Sequence, residues 1–131
     1  MPLVLDGLNV EWSDVMKRWI ATSFADEADL RAFNRAIHEG KSPRASLADG
    51  DNGVGAWGKS TVKGTGPCVA LSPHTENFNR ARLVRVFFGE KYVDCDVRDI
   101  APEGIIDLNP DACAALGLVP PVKTHVDWIW L

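Results

Sequence analysis

The chain reads as a mainly β protein built on a small six-stranded barrel, with a helical hairpin at its N-terminal end and one short helix before its last strand. Three observations lead there. From Cys68 onward, stretches of strand length follow one another with turn residues between them: CVALS, Arg82 to Phe88, Tyr92 to Arg98, IIDL and THVDWIWL. In one of them Val93, Cys95 and Val97 alternate with Asp94, Asp96 and Arg98, the period-two pattern of a strand with one buried face. Only Pro110 to about Leu116 interrupts the series with a helical segment, and many short strands with glycine turns suggest a small closed barrel.

The 131 residues, 46% hydrophobic, suffice for one core and are too few for two ordinary domains. A single domain over 1–131 is expected, with 1–40 as a helical extension and 50–131 as the barrel. Ser13 to about Phe24 places Val15, Met16, Trp19, Ile20 and Phe24 on one helical face, and Ser13 is the expected N-cap. Asp26 to Glu39 is a second helix, with Asp26 as cap, Leu30, Phe33 and Ile37 on one stripe, and Gly40 as the stop. The two apolar stripes are expected to cover the main core.

Lys41 to Gly66 is dense in Gly, Ser, Asp and Lys. Within it GVGAWGKS, Gly53 to Ser60, matches the phosphate-loop spacing GxxxxGK[ST]. The context does not fit. A phosphate loop needs an apolar strand before it and a helix after it, whereas SLADGDN precedes this one, and Gly64, Gly66 and Pro67 would break a following helix. The segment reads as a glycine-rich strand and turn, and no nucleotide is expected.

Further along, Gly89 and Glu90 link two strands tightly, and the helix from Pro110 is opened by Asn109 and closed by Gly117. In the last strand Trp128 and Trp130 share one face and Ile129 takes the other, so that strand is expected to be central and buried.

Net charge is −4 and the basic residues are scattered, so the footprint of a nucleic-acid binder is missing. The N-terminus MPLVLDGLNVEW has no basic region or cleavage site of a secretory signal, and no window has the roughly 20 apolar residues of a membrane span. Localisation is left open. Cys68, Cys95 and Cys113 are odd in number and lack CxxC spacing, which argues against a zinc site; they read as small buried residues. A Cys68–Cys95 bridge would require their strands to be neighbours. His38 and His125 have no local partner pattern, so neither metal nor cofactor is expected.

VRDIAPEGIIDLNPDACAALGL followed by a terminal Trp-bearing strand resembles double-psi β-barrel domains of the expansin and rare-lipoprotein-A type. Those families run strand, Asp, a turn with Pro and Gly, an Ile-Asp-Leu strand, an Asn-Pro-type cap and a helix ending in Leu-Gly. Upstream, GVGAWG is similar to their opening strand, CVALSPH to the next strand with its His-bearing loop, and RLVRVFFGEKYVDCDV to the hairpin before the Asp. The resemblance spans about Gly50 to Leu131. It implies an action on cell-wall polysaccharide, peptidoglycan above all. In the related lytic transglycosylases one Asp at this turn serves as general acid and then base, a role that falls by position on Asp99, with His74 assisting. Asp107, Glu103 and Trp57 are the expected substrate contacts, Trp57 as a stacking platform. The turn here, Asp99-Ile100-Ala101-Pro102, is nearer the expansin form than the Asp-Arg-Gly-Pro of rare lipoprotein A. A polysaccharide-binding module that breaks no bond is therefore the alternative, and a structural component of a phage or secretion apparatus is a third reading.

One acid can suffice in a lytic transglycosylase, because the substrate's own C6 hydroxyl attacks. Hydrolysis ordinarily needs two carboxylates, roughly 5–5.5 Å or 6.5–9.5 Å apart. The apolar Ile100, Ala101 and Pro102 are expected to raise the pKa of Asp99.

Overall fold

A computed structural model describes residues 2–5, 8–11 and 16–131. In chain order the elements are β1 (Pro2–Leu5), β2 (Leu8–Glu11), β3 (Lys17–Ser23), α1 (Glu27–His38), α2 (Pro43–Ser46), β4 (Cys68–Ala70), β5 (Leu83–Phe88), β6 (Lys91–Asp99), β7 (Ile105–Leu108), α3 (Pro110–Leu116) and β8 (Lys123–Trp130). β1 and β2 pair antiparallel as a separate two-stranded sheet. The other six strands close into a barrel in the order β3-β7-β4-β6-β5-β8. The barrel is mixed. β3 runs parallel to β7 and β4 parallel to β6, while the remaining neighbours are antiparallel.

The interior is filled from all six strands by Ala21, Val69, Leu71, Val84, Val86, Val93, Cys95, Val97, Ile106, Leu108, Val126 and Trp128. Most are β-branched, which suits a pleated, packed surface. α3 adds Ala112, Cys113 and Leu116 to the same core. Its start is set by Asn109, whose side chain accepts from the Ala112 N–H, and its end by Gly117 in the left-handed region. Trp128 is fully buried, with Trp19 edge-on at 5.0 Å and Trp130 at 5.4 Å, and Ile129 is buried on the other face. The terminal strand is covered on both sides, as its sequence implies. All three cysteines are free and buried.

Three expectations need correction. Lys17–Ser23 is a strand, so the N-terminal helical hairpin is replaced by a strand followed by the single helix α1, and the barrel starts at Lys17, well before Gly50. Ser13 and Val15 lie outside the described residues. The reason is tertiary: β3 is bonded on one edge to Ile105–Leu108 and on the other to Lys123–Trp128, partners about a hundred residues away that no local periodicity reveals. Second, GVGAWGKS is a loop with one bridge, Val54 to Ser60, and contributes no barrel strand. The bounds of α1 are as expected, with the Asp29 N–H donating to Asp26 Oδ1 at 3.0 Å and the chain turning away at Gly40 with φ 95°, but its stripe does not cover the main core: none of its residues belongs to that core, and Ile37 is exposed.

Candidate functional site

One extra residue delivers Asp99 to the outside of the barrel. Val93, Cys95 and Val97 of β6 face the core, so strict alternation would turn Asp99 inward as well. Across the parallel ladder Cys68 pairs with Asp96 and Val69 with Val97, but Ala70 pairs with Asp99. Arg98 is thus the unpaired residue of a bulge, which resets the alternation. Asp99 emerges on the face of Ala70, which packs with Phe24, Ala25, Cys68 and Ala101 apart from the main core. Ala70 pairs on its other side with Asp107 of β7. Two carboxyl side chains therefore flank one alanine on the same outer face, two strand spacings apart, or about 10 Å between their α-carbons.

Their surroundings differ. Thr22 lies beside Asp107 in register, and its hydroxyl donates to Asp107 Oδ1 at 2.8 Å. Burial pushes the Asp107 carboxyl up to about 6, the Thr22 hydrogen bond opposes this, and the charges of Asp51, Asp29 and Asp99 add to the rise. Asp29 and Asp51 line a hollow of about 360 Å³ with Ser23, Phe24 and Leu47. Burial also raises Asp51, whose Oδ1 accepts from the Gly53 N–H at 2.6 Å. Asp99 is likewise raised by burial, but less freely: its Oδ1 accepts from the N–H groups of Ile100 at 2.9 Å and Ala56 at 3.1 Å, which favour the charged form. The arrangement is a group of interacting carboxyls in which Asp107 holds its proton closest to neutrality.

The glycine-rich loop is fastened to this site. Gly55 lies against the strand end so closely that a Cβ there would run into the Arg98 carbonyl. A glycine is required for that approach. Arg98 is nearly buried and bonds Asp96 Oδ2 at 2.8 Å, the Ser60 carbonyl at 2.9 Å and Thr65 Oγ1 at 3.2 Å. Burial alone would raise the Asp96 carboxyl, but Arg98 and Lys59 outweigh it and hold the group below its usual value. At the far end, Asp111 accepts from the N–H groups of Gly64 and Gly66. Asn109, fully buried, accepts from the Cys68 N–H at 3.0 Å and donates to the carbonyls of Thr61 and Gly66, both at 3.0 Å. The motif that mimics a phosphate loop thus works as a clamp on the Asp99 end of β6.

The five residues singled out by sequence fall into three places. Asp99 and Asp107 share the outer face just described. His74 and Glu103 line a separate hollow of about 280 Å³ with Lys17, Trp19, Thr75 and Glu76, a space that neither Asp99 nor Asp107 lines. Trp57 follows Ala56, whose N–H is bonded to Asp99, and lines a third hollow, with the Arg80 guanidinium 5.4 Å above its ring. Sequence reasoning did not pick out Thr22, Asp51, Ala70 or Arg80. The adjacent polar pair Arg98-Asp99, which breaks the alternation of VDCDVRD, is the local sign of the bulge.

No family model matches the chain, and no curated protein matches it. Among solved structures the chain is similar to the Streptomyces papain inhibitor, with 20% identity, a TM-score of 0.52, and coverage of 88% of this chain and 94% of that one. The likeness is one of fold.

Proposed function

We propose that the protein is a double-psi β-barrel that acts on the glycan strands of bacterial peptidoglycan, cleaving them in the manner of a lytic transglycosylase with Asp107 and Asp99 sharing the proton transfers. The observation that carries this reading is the placement of both carboxyls beside Ala70 in unequal environments. Asp107, which burial keeps protonated up to about pH 6, gives its proton to the glycosidic oxygen as the C1–O bond breaks. Asp99, whose charged form two N–H donors favour, takes the proton of the substrate's C6 hydroxyl as that oxygen bonds to C1. No water enters and a 1,6-anhydro ring forms. The backbone spacing of about 10 Å is of the order of the wider of the two glycosidase spacings. Pairs of acids whose environments separate their pKa values commonly divide the acid and base roles in this way.

A second reading has its own support. Asp99 Oδ1 is fully engaged in holding Ala56 and Ile100, a positioning role that suits an expansin-like module that grips wall polysaccharide and breaks no bond. The test is incubation of insoluble peptidoglycan with wild type, Asp99→Asn and Asp107→Asn, followed by mass spectrometry of the soluble fraction. Anhydromuropeptides from wild type, lost in both variants, are the expected result. Sedimentation of all three proteins with the wall and no soluble product would replace cleavage with binding. Neither product nor binding would leave a structural or interaction role, of the kind stated in the name of the Streptomyces papain inhibitor for that protein.

A further inference from the structure

We propose that the hollow beside Trp57 is a subsite for a carboxylate carried by the glycan, with Arg80 as its principal contact; this rests on the glycan reading above and specifies which glycans the site takes. The pocket measures about 310 Å³ and is lined by Trp57, Lys59, Arg80, Asp96, Val97 and Arg98 among others. It adjoins Asp99 on two counts. Arg98 immediately precedes Asp99, and Trp57 follows Ala56, whose N–H is bonded to Asp99.

Three cations meet here against one carboxylate, on a chain whose net charge is −4. Two of the cations are already matched: Asp96 Oδ2 binds Lys59 Nζ at 3.1 Å and Arg98 Nε at 2.8 Å. Arg80 is different. Its guanidinium lies over the Trp57 ring, and no carboxylate pairs with it among the described residues. Stacking on an indole orients the flat guanidinium and leaves its in-plane N–H edge free for the two-point grip that suits a carboxylate. The platform is supported from behind. Trp57 packs against Phe78 at 6.0 Å and Phe78 against Trp130 at 6.5 Å, whose indole N–H donates to the Glu76 carbonyl at 2.9 Å. A neutral glycan leaves this charge unanswered, whereas a saccharide bearing a carboxyl, on the sugar or on a peptide attached to it, satisfies it one step from the bond to be cleaved.

The experiment is a binding titration of wild type, Arg80→Gln and Arg80→Lys with three probes: soluble peptidoglycan strands with free carboxyls, the same strands with those carboxyls amidated, and neutral chitohexaose. Wild type is expected to bind the free-carboxyl strands about tenfold more tightly than the amidated ones, the size of one charge-assisted contact. Arg80→Gln should abolish that difference, and Arg80→Lys should keep part of it. Undiminished carboxyl preference in Arg80→Gln would overturn the subsite. Product release assayed on the same samples separates the two proposals. Carboxyl-dependent binding without product keeps the subsite and removes cleavage, while product with no effect of Arg80→Gln keeps cleavage and removes the subsite. Absence of binding to all three probes by wild type overturns both.

Discussion

Asp99 and Asp107 are both register partners of Ala70, one across a parallel ladder and the other across an antiparallel one. The barrel's strand order therefore sets their separation, with Ala70 buried between them against Phe24, Ala25 and Ala101.

Asp107 should make itself felt in the pH dependence of stability. Its folded-state carboxyl titrates near 6, above the ordinary value of 3.8. The folded protein thus holds this proton more tightly than the unfolded chain, so the stability it contributes is complete below pH 4 and is lost as pH rises through about 6. Asp107→Asn is expected to be more stable than wild type at pH 7, by on the order of 2 kcal/mol, and equal to it at low pH. Urea titrations at pH 4 and 7 check this. An identical pH dependence in both proteins would show that Asp107 is not the group responsible. The proposed cleavage needs the same proton, so its rate should fall as pH rises through about 6.

Gly55→Ala tests the clamp. The added methyl meets the Arg98 carbonyl, and relief requires the loop to lift away from β6, which removes the Ala56 hydrogen bond from Asp99. A loss of about 1–3 kcal/mol is expected, the usual cost of overpacking. The proposed action on the wall should fall further than stability alone accounts for. Unchanged stability with unchanged function would mean that the loop does not depend on this approach.

Asn109→Ala should be among the most damaging single changes. The side chain serves four backbone groups, the N–H of Cys68 and Ala112 and the carbonyls of Thr61 and Gly66. Truncation leaves buried donors and acceptors unpaired, at about 1–3 kcal/mol each. A drop of at least about 3 kcal/mol is expected, and Asn109→Asp, which keeps the Oδ1 acceptor but sets an oxygen against the Thr61 and Gly66 carbonyls, should be destabilised as well. Equilibrium unfolding of the three proteins ranks them.

The cysteines should be silent toward thiol reagents in the native state. Burial pushes the thiols of Cys68 and Cys113 up to about 12 and that of Cys95 well above its ordinary value. With little thiolate and no access, labelling at pH 7.5 should require unfolding. Rapid labelling of native protein by a thiol reagent, read by mass spectrometry, would contradict the burial.

The sequence showed its strands wherever partners lie close or the pattern alternates: the Gly89-linked hairpin, IIDL, and the helix between Asn109 and Gly117 all stand where the residues place them. It misled at Lys17–Ser23. There Trp19, Ile20 and Phe24 match a helical face, while the inward residue is Ala21, too small to register as a strand position. The β-branched and aromatic content of KRWIATS was the better guide. Asp99 and Asp107 were picked out as candidates by their motif, but their common face was not legible, because it depends on the Arg98 bulge and on Ala70 lying between them. Asp51 and Thr22 come from segments that only the closed barrel brings near.

The pairing of β3 with β8 has a bearing on how this chain is made. Lys17 sits opposite Trp128 and Thr22 opposite Lys123, so the seam that shuts the barrel joins residues more than a hundred positions apart. During synthesis the early strand must wait, one edge unpaired, until the segment ending at Trp130 has left the ribosome. A nascent chain arrested before that point should remain open to proteases at Lys17–Ser23, and closure should be a late and comparatively slow event, as long-range strand pairing generally is.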